Sequence, residues 1–242
     1  MSTKKIYIGT SGWNYKHWRG TFYPENMPQK KWLEYYMQRF RTVELNNSFY
    51  QLPRQQTLET WRDTVPEDFH FAVKASRYIT HMKKLKDPKD AVRTFFQRIE
   101  SLGEKSSVIL FQLPPKWKFN KERLQSFLQT LPTAYRYTFE FRDPSWWNEQ
   151  TYEILTQYNA AFCQYELAGT TTPYQVTADF VYIRLHGPGD AYEGSYDQTT
   201  LEQWCERFLT WTQKGYDVYC YFDNDQNGYA AKNALTLQSI LA

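Results

Sequence analysis

Eight short runs of β-branched and aromatic residues recur along this chain, and helix-spaced segments separate most of them. The strand-like runs are Ile6–Thr10, Thr42–Asn46, Phe69–Ala75, Val108–Leu113, Tyr137–Arg142, Ala161–Tyr165, Val181–His186 and Val218–Phe222. The clearest helical interval spans 88–103, where Val92, Phe95, Phe96, Ile99 and Leu102 share a face and Gly103 follows as a stop. Leu124, Phe127, Leu128 and Leu131 repeat that spacing in the next interval. In 200–214, Thr200 stands three residues before Gln203, a capping-box spacing, and Leu201, Trp204, Phe208 and Trp211 form the apolar face ahead of Gly215. Ala230, Ala234, Leu237 and Leu241 carry the last helix. Regular alternation of this kind demands parallel strands joined by helical crossovers. The fold class is therefore α/β, and eight units predict a TIM-type (β/α)8 barrel over an open sheet. Only the stretch from Leu167 to Asp179, between the sixth and seventh strands, lacks a clear helix. No GxGxxG follows the first strand, which removes the usual dinucleotide fingerprint.

The length of 242 residues suits one barrel, and no linker or composition break divides residues 1–242, so a single domain is expected. Mean hydropathy is −0.74, so the core leans on 9 Trp, 20 Tyr and 16 Phe. A net charge of +3, from 29 Lys and Arg against 26 Asp and Glu, gives no global pull toward nucleic acid or membrane. With no apolar span and no signal-like core in MSTKKIYIGT, the expected location is the cytoplasm. Cys163, Cys205 and Cys220 make no CxxC pair and read as inert packing.

Side chains alternate across a strand, so Glu44 and Asn46 share a face, as do Glu140 and Arg142, and Arg184 and His186. Lys74, Gln112 and Asn224 stand at the corresponding ends of the third, fourth and eighth strands. In a barrel these groups gather where the C-terminal strand ends place chemistry. The alternative is a plug of internal salt bridges, because buried charges demand partners. Cations exceed carboxylates in the set. Lys74, Arg142 and Arg184 therefore suit a small anionic or phosphate-bearing ligand, with Glu44, Glu140 or His186 moving protons. The two glutamates also allow a glycoside hydrolase, with Trp13, Tyr15, Trp18 and Trp147 as a sugar-stacking wall.

His17, His70, His81 and His186 show neither HxH nor HExxH, so no metal motif is present, and only scattered ligands such as Glu44, Glu140, His186 and Asp223 remain for one. GxSxG is missing, and Ser11 reads as a turn residue. No cofactor follows from the sequence. HMKKLKDPKD, after the third strand, reads first as a solvated loop or helix entry. A second reading makes His81, Lys83, Lys84 and Lys86 a basic rim for nucleic acid, as in a non-catalytic binding or adaptor protein. The loops GTSGWNYKHWRG and HGPGDAYEGSYDQ, after the first and seventh strands, are long enough to serve as lids or binding loops.

GTSGW, VELNNSFY, FAVKAS, LFQLPP, FEFRDPSWW, YIRLHG and YFDN, in this order, resemble the DUF72 or YecE-like family from about Ile6 to Leu241. The resemblance implies a TIM barrel with a pocket at the strand ends, in a family with no established activity. By that likeness Trp13, Tyr15, Glu44, Asn46, Tyr50, Lys74, Gln112, Glu140, Arg142, Arg184, His186 and Asn224 are the pocket candidates.

Overall fold

The computed structural model describes residues 5–242. Its strands are β1 (Ile6–Thr10), β2 (Thr42–Leu45), β3 (His70–Lys74), β4 (Ser106–Leu113), β5 (Arg136–Phe141), β6 (Ala160–Phe162), β7 (Gln164–Leu167), β8 (Thr170–Thr171), β9 (Phe180–Leu185) and β10 (Asp217–Phe222). The α-helices are α1 (Trp32–Tyr36), α2 (Asn47–Tyr50), α3 (Gln55–Thr64), α4 (Lys89–Ile99), α5 (Lys121–Leu128), α6 (Glu149–Gln157), α7 (Gln198–Gln213) and α8 (Tyr229–Leu241). The chain forms two compact units. Among the described residues, one comprises 5–44, 164–174 and 179–242, and the other 45–163 and 175–178.

In the first unit, the sheet order is β1-β10-β9-β7-β8, parallel except for the β7–β8 hairpin. Tyr7 stacks on Tyr219 at 4.7 Å between neighbouring strands, and α8 packs against β1 and β10. At Gly9 a Cβ would stand 2.3 Å from the Thr42 carbonyl oxygen, so the first motif glycine marks a close backbone approach.

In the second unit, β3, β4, β5 and β6 pair in parallel in chain order. Phe111 stacks on Phe139 at 5.2 Å and Phe141 on Trp146 at 4.7 Å. The apolar faces expected of α4 and α5 are buried. Cys163, Cys205 and Cys220 are free and buried.

The α/β class with parallel sheets matches the sequence pattern, the stretch from Leu167 to Asp179 holds no helix as expected, and two local readings change. The run expected as one strand over 161–165 is two strands. The N–H of Cys163 still donates to the Phe139 carbonyl of the second-unit sheet, whereas Gln164 pairs with Ile183 of β9. The stretch after Leu167 holds the short strand β8, turned by Ala168 and Gly169, both at positive φ. Finally, α7 is capped by Asp197, whose Oδ1 accepts the Thr200 N–H at 2.8 Å, instead of by a box at Thr200.

Candidate functional site

Parallel strands in register place the candidate side chains at or just beyond C-terminal strand ends, in two clusters that belong to different units. In the first unit, β9 pairs Arg184 with Tyr221 and Leu185 with Phe222 of β10. That register brings His186 level with Asp223. Glu44 and Arg184 are both fully buried, and the guanidinium meets the carboxylate side-on, with Nη2 2.7 Å from Oε1 and Nε 3.0 Å from Oε2. Tyr182 donates to Glu44 Oε2 at 2.6 Å, and Ser11 donates to Oε1. Arg184 Nη2 also reaches Asp223 Oδ2 at 3.0 Å and Ser11 Oγ at 3.1 Å. Burying such a pair costs several kcal/mol per ion unless hydrogen bonds complete it, and here they do.

His186 is buried beside this pair, with Nδ1 3.0 Å from Asp223 Oδ2 and Nε2 3.3 Å from Arg184 Nη1. An arginine N–H can only donate, so Nε2 accepts, and the proton of the neutral ring lies on Nδ1. The lone pair needed by a general base is thus engaged by Arg184. Tyr192 covers the ring edge-on at 5.3 Å. Arg184, expected from sequence to hold a ligand's charge, meets two carboxylates of the protein itself. Burial, then Asp223, Asp225 and Glu44, push the Tyr15 hydroxyl well above its ordinary range, and that hydroxyl donates to the Ser11 carbonyl at 2.5 Å. Burial and Asp223 likewise raise Asp225. The buried Trp13 offers its carbonyl to Tyr23 at 2.6 Å. Asn224 donates to Gly194 O at 2.8 Å and Asn233 Oδ1 at 2.9 Å, fastening the loop after β9, while its own Oδ1 is buried with no hydrogen-bond partner among the described residues.

In the second unit, Glu140 is fully buried in contact with Arg142 Nε, and Gln112 Nε2 donates to the same oxygen at 3.0 Å. Lys74, the last residue of β3, is 9% exposed, with Nζ 4.4 Å from the centre of the Phe49 ring. His81 stands edge-on to the same ring at 5.0 Å. Burial and then the charges of Lys74, Arg77 and Arg142 push the His81 imidazole down to about 4, against a weaker pull from Glu140. Asn46 Oδ1 is a buried atom without a hydrogen-bond partner among the described residues. Tyr50 is 75% exposed, its ring perpendicular to Phe49 at 5.1 Å.

Sequence reasoning passed over Tyr182, which shares the Arg184 face by the same two-residue step, and Phe49, which lies within VELNNSFY but was given no role beside Lys74. Asp223 was legible only as a scattered metal ligand, and Ser11 only as a turn. Among the described residues, no group of three or more His, Cys, Asp or Glu side chains could hold a metal ion. Among the same residues, no helix is long and apolar enough to cross a membrane.

Residues 7–242 match the family described as "Protein of unknown function DUF72". The UPF0759 protein YunF of Bacillus subtilis is 28% identical over 98% of this chain and 94% of its own length. UPF0759 protein YecE of Escherichia coli K12 is 30% identical over 57% of this chain and 49% of its own. The crystal structure of a DUF72 family protein from Thermotoga maritima superposes with a TM-score of 0.89 at 31% identity, covering 98% of this chain and 99% of that one. The chain belongs to the DUF72 family.

Proposed function

We propose that the protein is an enzyme acting on a small anionic, phosphate-bearing substrate, with Lys74 and Arg142 taking the anion and Glu140 handling a proton. The observation that carries this reading is the positive field of the second-unit cluster. Burial first, and then Lys74, Arg77 and Arg142 against a weaker Glu140, hold His81 neutral. A dianion placed there would meet the fork of Arg142 and the point charge of Lys74. The Glu140 carboxylate, held by Gln112 and Arg142, stands beside them as the group that exchanges a proton with the substrate.

The first-unit cluster supports this division of labour, because Arg184 is neutralised by Glu44 and Asp223 and has structural partners on three sides. The proposal keeps a (β/α)8 barrel over 1–242 as the fold, supported by parallel strands with helical crossovers. The test is a thermal-shift titration with inorganic phosphate and simple phosphate monoesters. Wild type is expected to gain stability, and Arg142→Ala and Lys74→Ala to lose that gain while keeping a native circular dichroism spectrum. An equal gain in all three proteins sinks the reading.

A further inference from the structure

The basic stretch after β3, a largely exposed turn that leads into α4, is more ordered than its composition shows. Tyr78–Met82 forms a single π-helical turn, and Lys84, Leu85 and Asp87 follow at positive φ, at 47°, 61° and 44°. Left-handed backbone at a β-carbon-bearing residue is unfavourable, and three in four positions need anchoring. Leu85 supplies the anchor. Its side chain is buried and its N–H donates to Ile79 O at 3.0 Å, while Arg123 donates to Lys84 O at 3.1 Å. The strained turn therefore presents a fixed surface: Lys83, Lys84 and Lys86 outward, Met82 66% exposed and Tyr78 45% exposed. Tyr50 adjoins it through Phe49, which touches both His81 of the π turn and Lys74. Asp87 and Asp90 are the nearby carboxylates, and Asp90 is held by Arg93 at 2.7 Å.

We propose that this turn is a docking surface for single-stranded nucleic acid, whose bases stack on Tyr50 and Tyr78 and whose phosphates meet Arg77, Lys83 and Lys84. This docking surface goes beyond the anion-site reading above and does not rest on it. Single strands fit better than duplex because stacking needs unpaired bases, and every base has a face for an exposed tyrosine. The rings favour nucleic acid over an anionic lipid surface, since two tyrosines and one methionine give polar-tipped platforms and little apolar depth for insertion.

The experiment is fluorescence anisotropy of labelled twelve-nucleotide single strands, DNA and RNA, over a series of salt concentrations, with duplex and anionic phosphatidylserine vesicles in parallel. Single-strand binding that weakens with salt is expected. Tyr50→Ala and Tyr78→Ala should each weaken it about tenfold. Lys83→Gln with Lys84→Gln should flatten the slope of log affinity against log salt by roughly 1.4, at about 0.7 for each phosphate contact. A preference for RNA or for DNA tells which strand the surface takes. Equal binding of duplex, tyrosine variants that bind like wild type, or binding of vesicles in place of oligonucleotide overturns the proposal. If wild type responds to inorganic phosphate but binds no oligonucleotide, the docking surface fails and the anion site stands. Oligonucleotide binding with no phosphate response upholds the docking surface and removes the anion site.

Discussion

Arg184 meets Glu44 through two nitrogens, Nη2 at 2.7 Å and Nε at 3.0 Å, with both side chains fully buried. Tyr182 and Ser11 complete the carboxylate, and Asp223 takes a further N–H of the guanidinium. The charge of Arg184 is consequently a matter for the fold before it is one for a ligand.

Removing Arg184 alone strands Glu44 in the interior. Arg184→Ala is predicted to lower unfolding stability by about 3–5 kcal/mol, read from the urea midpoint. Glu44→Leu combined with Arg184→Met should recover a large part of that loss, since paired apolar replacements avoid the uncompensated charge. A stable, cooperative Arg184→Ala protein would show that the pair is not structural.

The loop after β9 begins at Gly187, whose φ is +107° and where a Cβ would stand 2.2 Å from the Glu193 carbonyl oxygen. Gly187→Ala is expected to displace the loop and uncover His186, with a fall in melting temperature and faster amide exchange over 187–197. Gly215 shares a positive φ, yet a Cβ there meets nothing within 4 Å. Gly215→Ala should therefore cost only the backbone penalty of about 1–2 kcal/mol. Equal effects at the two sites would contradict this account of the Gly187 contact.

His81 gives a signed pH dependence. Its imidazole falls from an ordinary 6.5 to about 4 in the folded protein, first through burial and then through Lys74, Arg77 and Arg142. Between these values the unfolded chain binds the extra proton, so stability rises with pH across the window and is lost as pH drops from about 6.5 toward about 4. The urea midpoint followed over that range should show the slope in wild type and a shallower one in His81→Gln. Identical slopes would mean that His81 titrates alike in both states.

Much of this arrangement could be read from the residues. Two-residue alternation set Glu140 with Arg142 and Arg184 with His186, and strand order put Lys74 and Gln112 at matching ends. Their partners could not be read, because the Arg184–Asp223 and His186–Asp223 contacts depend on the register of β9 against β10, which no local pattern fixes. The same limit explains Cys163: the apolar run continues through it, while the pairing strand changes from β5 at Cys163 to β9 at Gln164. The left-handed turn at Lys84, Leu85 and Asp87 carries no glycine to announce it. Nor did composition separate one cluster whose arginine is fully answered from another in which cations crowd a neutral histidine.

An anion bound beside the cations that add to burial in lowering His81 is the centre of the proposed function, and the most direct measurement follows the His81 ring protons by NMR as pH is varied with and without phosphate. With the anion in place, the charges of Lys74, Arg77 and Arg142 are answered, and the His81 titration should move up from about 4 toward 6.5. An unchanged titration at phosphate concentrations that saturate the thermal shift would place the anion elsewhere and contradict the account.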